Sequence, residues 1–264
     1  MKILTLVLHT FRELIAKATL IILASISTLI ILLTLFGISS LLTQELSPGP
    51  EELETIVLQM QGGFASGLFT GILLFGVFAT AGIIPDTMEK GTIDLYLSKP
   101  LARWELVAGK FLGGIAVILA NIAYFLGALW LIIGLRVGIW NGALLSSIGT
   151  ITLAYACAFA GTLTLGIIFR NTAIPIIGTF LYVFVLERIL HSREHILYVF
   201  SDNAIYRAVI DGLHAILPQL SGMQEGFTRQ ILHQPVVWDP FMQSVITSLA
   251  ILAVGLVVFQ RRDF

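Results

Sequence analysis

Six apolar runs, most of them longer than a globular core can use, limit what this chain can fold into. They lie near residues 18–42, 63–84, 106–135, 144–169, 173–187 with a continuation, and 241–259. Crossing the hydrocarbon of a bilayer takes roughly 20 mainly apolar residues. All runs but the fifth easily meet that length. The fifth is bounded by Arg170 and by Glu187 and Arg188, and is the tightest fit. Pro175 falls near its start, where a helix has a spare amide position. Only 12% of the 264 residues are charged, whereas a soluble domain carries roughly 25%. The fold class predicted is an all-α polytopic membrane protein with six transmembrane helices, forming one domain over residues 1–264. The net charge of −1 supplies no field for nucleic acid, so no nucleic-acid partner is expected.

Before the first run, Leu4, Val7, Leu8, Phe11, Leu14 and Ile15 recur at helical spacing, with Thr5, His9, Arg12 and Glu13 on the other side. That pattern predicts an interfacial helix over residues 1–17. The apolar run that follows is far longer than the core of a signal peptide, about 7–15 residues. Lys2, Arg12, Lys17, Lys90, Lys99, Arg103, Lys110, Arg170, Arg261 and Arg262 all fall on one side of the predicted spans. The opposite short loops hold only Arg136, and the loop 44–61 carries Glu45, Glu51, Glu52 and Glu54 with no Lys or Arg. The positive-inside rule then puts both termini and the stretch 86–110 in the cytosol, and the loop 188–240 outside. Within that outer loop, Ile205, Val209, Leu213, Ile216 and Leu217 can share a helix face, and Pro218 breaks the run before 220–232. Two amphipathic outer helices are expected, either dipping into the outer leaflet or capping a cavity. Gly63, Gly67 and Gly71 make two consecutive GxxxG steps, a strip that lets another helix come close.

The chain has no Gly-rich phosphate cradle ending in Lys-Ser/Thr, so it is not expected to bind ATP itself. No ionisable residue sits in the middle of a predicted span, whereas ion-coupled carriers usually need one. Asn121, Tyr124 and Tyr155 are the deep polar candidates for a substrate path. The single Cys157 makes neither an intramolecular disulfide nor a zinc cluster. His191, Glu194 and His195 fit the H-x-x-E-H pattern of inverted zinc proteases. A third ligand would have to come from His214, Glu225 or His233, with no spacing to recommend any, so no metal site and no enzymatic activity are expected.

The densest island of charge lies between the second and third runs. Pro85 and Pro100 punctuate it. Residues 88–97 can form a short helix with Ile93, Leu97 and either Met88 or Tyr96 as apolar contacts, ringed by Glu89, Lys90, Asp94 and Lys99. Arg103 and Lys110 suit either a partner contact or anionic lipid heads. Glu89-Lys90-Gly91-Thr92, Leu97-Ser98-Lys99-Pro100, Arg103 and Gly109-Lys110 resemble the cytosolic loop of ABC-2-type permeases, the membrane subunits of ATP-driven exporters. That family includes the nitrous-oxide-reductase maturation permeases. The ending Phe259-Gln260-Arg261-Arg262-Asp263-Phe264 resembles its basic tail, and the likeness covers the whole chain.

The resemblance implies a bacterial or archaeal cytoplasmic membrane and a dimer of permease copies, a homodimer in the simplest case. It implies two cytosolic ABC ATPase subunits, on which ATP and Mg would be held, with no cofactor in this chain. It also implies a coupling helix within 86–110, carried by Met88, Glu89, Lys90, Gly91, Thr92, Ile93, Asp94, Leu97, Pro100 and Arg103. Other readings are force transmission to an extracytoplasmic maturation partner, a zinc membrane protease, and a structural anchor.

Overall fold

The computed structural model describes residues 2–15, 18–43, 49–88, 102–199 and 203–261. Among these residues the secondary structure is entirely helical. Six helices are long and apolar enough to cross a membrane, and they are numbered here as spans in chain order. An N-terminal helix (Lys2–Ile15) precedes span 1 (Ala18–Thr43). Span 2 runs from Pro50 to Gly71, through a π-helical stretch (Ile72–Gly76), to a last turn (Val77–Thr80). Span 3 is Arg103–Val137 and span 4 is Gly142–Phe169. Span 5 joins Ala173–Leu181, a second π-helical stretch (Tyr182–Leu186) and Glu187–His191. Two outer helices, Ala204–Ile216 and Leu220–Ile231, lead to span 6 (Asp239–Gln260).

Span 2 starts well ahead of its apolar run, and span 3 is longer than a bilayer requires. The expected loop 44–61 becomes helix from Pro50 onward, with Pro at the helix start and Glu51 and Glu52 in the first turn. Proline suits that position, and acidic side chains there complement the helix dipole. The added turns are not idle: Val57, 4% exposed, packs with fully buried Ile133 near the far end of span 3. Span 3 itself has 35 residues, about 52 Å at 1.5 Å per residue, which exceeds the roughly 30 Å hydrocarbon layer. Its C-terminal end is capped by Gly138 at φ 81°, whose amide bonds back to the Gly134 carbonyl. That left-handed position favours glycine.

Span 4 is the hub. In its most apolar stretch 72% of the residues are buried, against 22% in span 6. Spans 3, 5 and 6 and the second outer helix all pack on it. Small residues such as Ala154, Ala158 and Ala160 admit these neighbours. Polar bonds fix the contacts: Tyr155 meets Thr80 Oγ1 of span 2 at 2.8 Å, and Thr164 donates to the Ile251 carbonyl of span 6 at 3.1 Å.

Six crossings bring the N-terminal helix and the end of span 6 to one end of the bundle, the basic end. The outer helices lie at the other. The N-terminal helix packs along the start of span 3. Its buried line is Leu6, Thr10 and Leu14, while Leu4 and Leu8 stay exposed. Of the expected face Leu14 is buried and Val7 and Phe11 are half-buried, while Leu6 and Thr10, outside that face, complete the buried line. One edge meets protein and the other is left for lipid.

Candidate functional site

At the basic end, three elements are tied where span 3 begins. Arg103 Nη1 donates to the Gln260 carbonyl of span 6 at 2.9 Å. Seven residues on, Lys110 is 1% exposed and its Nζ stands 2.8 Å from Glu13 Oε2 of the N-terminal helix. Lys110 is thus neither a lipid anchor nor a partner contact, the two readings of the sequence. Its stem is buried between helices, and its charge is met by a carboxylate 97 residues away. The close approach that permits this pair comes from Gly109 and Gly113. A Cβ at either would stand 2.6 Å from the Cβ of Leu6 or Thr10. Of the coupling residues predicted from sequence, Met88 ends a short 3-10 turn (Asp86–Met88) and packs against the core. Arg103 opens span 3. Glu89, Lys90, Gly91, Thr92, Ile93, Asp94, Leu97 and Pro100 lie outside the described residues.

The three path residues separate. Asn121 and Tyr124 line one groove between spans 1 and 3. Tyr155 does not join them: it is fully buried, with its hydroxyl on Thr80, and works as an interhelical tie.

The outer end is closed by the second outer helix, which is held by polar bonds from four directions. Glu187 of span 5, 3% exposed, accepts from the amide of Ser221 at 2.7 Å and from its hydroxyl. The carboxylate thus caps the positive end of the helix dipole. Gln224 donates to Ser66 of span 2, and Gln230 to Ser146 of span 4 at 2.8 Å. Gln219, just before the helix, donates to Gln243 of span 6 at 2.7 Å. Where the helix ends, buried Asn141 donates to Gln61 Oε1 at 2.7 Å and to the Ile231 carbonyl at 3.0 Å. Leu220, Met223, Phe227 and Ile231 fill the space beneath. Beside this plug opens a cavity of about 770 Å³, whose walls include Ser66, Arg188, His191, Gln224, Glu225 and Arg229.

The first outer helix behaves differently. Ile205, Val209, Leu213 and Ile216 remain exposed. The two functions expected of the outer pair are thus divided: one helix caps the bundle, and the other offers an apolar face to its surroundings. Arg193 and Tyr198 hold the first outer helix by hydrogen bonds to Asp211, at 2.8 and 2.6 Å. The Tyr198 hydroxyl, with Arg193, keeps the Asp211 carboxyl below its usual range. Burial, with the charges of Arg193 and His191, lowers the pKa of neighbouring His214.

The H-x-x-E-H segment is not one continuous helix. Ser192 interrupts it between Glu187–His191 and Arg193–Ile196. Glu225 is paired with Arg229, and His233 with Asn141. Among the described residues, no three His, Cys, Asp or Glu side chains come together as metal ligands would.

None of the curated proteins matches the chain. A family model described as "ABC-2 family transporter protein" matches residues 4–264. Its span covers all six membrane helices, both outer helices and the tied base of span 3. The chain therefore belongs to the ABC-2 family of transporter membrane proteins and is a multi-pass permease subunit of an ABC transporter.

Proposed function

We propose that this permease couples ATP hydrolysis by a separate cytosolic ATPase to export across the cytoplasmic membrane of a bacterium or archaeon. Two copies of the chain, as a homodimer, would be served by two ATPase subunits that hold ATP and Mg. The observation that carries the reading is the tie at the basic end. Arg103 joins span 3 to span 6, and Lys110 joins it to the N-terminal helix. Force delivered through residues 89–101 enters span 3 just before this tie, so it reaches three elements at once. Span 2 carries Ser66 in the wall of the cavity beside the outer plug, so tilting that span would shift the wall. ATP can drive that change only by binding one arrangement more tightly than the other. The excess of basic residues at this end supports a cytosolic location for it.

Glu89→Lys and Gly91→Pro test the reading. Glu89→Lys reverses a charge outside the apolar spans, and Gly91→Pro removes an amide and fixes φ. Loss of a desolvated interface pair costs about 2–5 kcal/mol, and the low end already weakens a complex about thirtyfold. Both variants should insert and fold, yet fail to co-purify the ATPase or to stimulate its turnover in liposomes. Undiminished binding and stimulation would place the contact elsewhere. Orientation is read separately with Thr92→Cys and Glu194→Cys in a Cys157→Ala background. An impermeant thiol reagent on intact cells should label the second and not the first.

A further inference from the structure

Between spans 1 and 3 lies a groove of about 700 Å³, running from Leu20 to Leu32 on one wall and from Val117 to Tyr124 on the other. That volume is within the roughly 300–1,000 Å³ of small-molecule pockets. No Asp, Glu, Lys or Arg lines it, and its polar groups are Ser25, Thr28, Asn121 and Tyr124. Asn121 stands 18 residues from Arg103 and 16 from Val137 on span 3, about 27 and 24 Å along the helix. The polar cluster is therefore near mid-depth.

The hydroxyl protons of this cluster are already committed. Ser25 donates to the Ile21 carbonyl and Thr28 to the Ala24 carbonyl, each at 2.8 Å. Thr28 has one proton, so in its 3.0 Å contact with Tyr124 the tyrosine is the donor. What the three oxygens still offer is acceptor lone pairs. Beside them, Asn121 Oδ1 is buried with no hydrogen-bond partner. An amide oxygen left unpaired in an apolar setting is costly. Phospholipid covering the groove would bring only CH₂ groups to this depth, and no donor.

We infer that the groove binds an uncharged amphiphile from the bilayer whose head is a hydrogen-bond donor: a long-chain alcohol or a lipid with a small hydroxyl or N–H head. The donor meets the Thr28 and Tyr124 oxygens, the Asn121 amide turns its unpaired oxygen to it, and the chain lies along span 1. A carboxylate or an ammonium at mid-depth has no counter-charge in the groove, and an ester has only the Asn121 amide N–H to accept from, which leaves Oδ1 unpaired. The site rests on the membrane-spanning fold, so it stands or falls apart from ATPase coupling.

The test uses the purified chain in phosphatidylcholine nanodiscs. The probes are a diazirine-bearing hexadecanol and its methyl ether, which keeps the length and removes the donor. The alcohol should label span 1 and span 3 peptides saturably, with apparent affinity at least tenfold above the ether. Tyr124→Phe and Asn121→Leu should each cut labelling several-fold. Ala120→Trp, at an exposed position on the groove wall, should abolish it with the thermal transition unchanged. Glu89→Lys should leave it intact. Equal labelling by alcohol and ether, or labelling that never saturates, overturns the inference. If Ala120→Trp fails to fold, Asn121→Leu decides: undiminished labelling there also overturns it.

Discussion

Spans 2 and 3 each carry glycines four residues apart, and the two ladders have opposite fates. On span 3, Gly109 and Gly113 are covered by the N-terminal helix, whose Leu6 and Thr10 leave no room for a Cβ. On span 2, Gly63, Gly67 and Gly71 have nothing within 4 Å of where a Cβ would stand. The spacing is the same, so spacing alone does not say where the partner is. The difference lies in what each ladder faces. The span 3 ladder meets a helix of the same chain with a matching line at Leu6, Thr10 and Leu14, and an ion pair beside it. The span 2 ladder faces outward, beside exposed Phe78. Small-residue strips let helices approach in a membrane. One strip is used within the chain, and the other remains available to a second copy.

The sharpest way to break the comparison is Gly113→Leu. Its new Cβ would stand 2.6 Å from Thr10 Cβ, an atom fixed to the helix backbone. Overpacking costs typically 1–3 kcal/mol, and the top of that range, about 3 kcal/mol, is expected here. The N-terminal helix should lift off span 3. A Thr10→Cys reporter in a Cys157→Ala background, unreactive to maleimide beforehand, should become reactive. Continued protection would mean that the contact tolerates bulk. Lys110→Met ranks next. It keeps the apolar stem and leaves Glu13 without its cation. Glu13 is 33% exposed, so the loss should fall between the exposed and fully buried cases, at about 2 kcal/mol. Glu13→Gln in the same chain should recover part of it. Strict additivity in that double-mutant cycle would show that the pair contributes nothing.

The ladders also show how far the sequence could be read. The spans were legible because an apolar run of that length has few other uses. Their ends were not: charged residues at 51–54 lower local hydropathy, yet the helix continues through them because Pro50 and the acidic first turn favour its start. Buried polar groups were misread for a different reason. Lys110 looked like a surface cation because Glu13 is 97 positions away. Glu187 looked like a span boundary because Ser221 is 34 positions away. Tyr155 looked like a path residue because Thr80, its partner, is 75 positions away. Gln219, Gln224 and Gln230 gave a signal that could have been used. Polar residues interleaved with Leu220, Met223 and Phe227 suit a helix bonded on several sides, more than one lying in a leaflet. Of the residues expected to carry coupling, Met88 and Arg103 lie among the described residues, and 89–100 lie outside them.

Gly67→Leu is the prediction with the smallest effect on the isolated chain, and it tests the other half of the comparison. Gly67 is exposed, and a Cβ there meets open space. Removing a helical glycine relieves an entropic cost of about 0.5–1 kcal/mol. The single chain should therefore be unchanged or slightly more stable in a detergent melt. Gly113→Leu, which makes the same replacement on the other ladder, should instead lower the transition. If a second copy uses the strip, the added side chain blocks close approach, and self-association should be lost while the fold is kept. Subunit counting by single-molecule photobleaching in nanodiscs reads the two results apart. One bleaching step with an intact melt assigns the span 2 ladder to the dimer contact. Two steps would show that the copies meet elsewhere, and a lowered melt would show that the ladder is already covered within the chain.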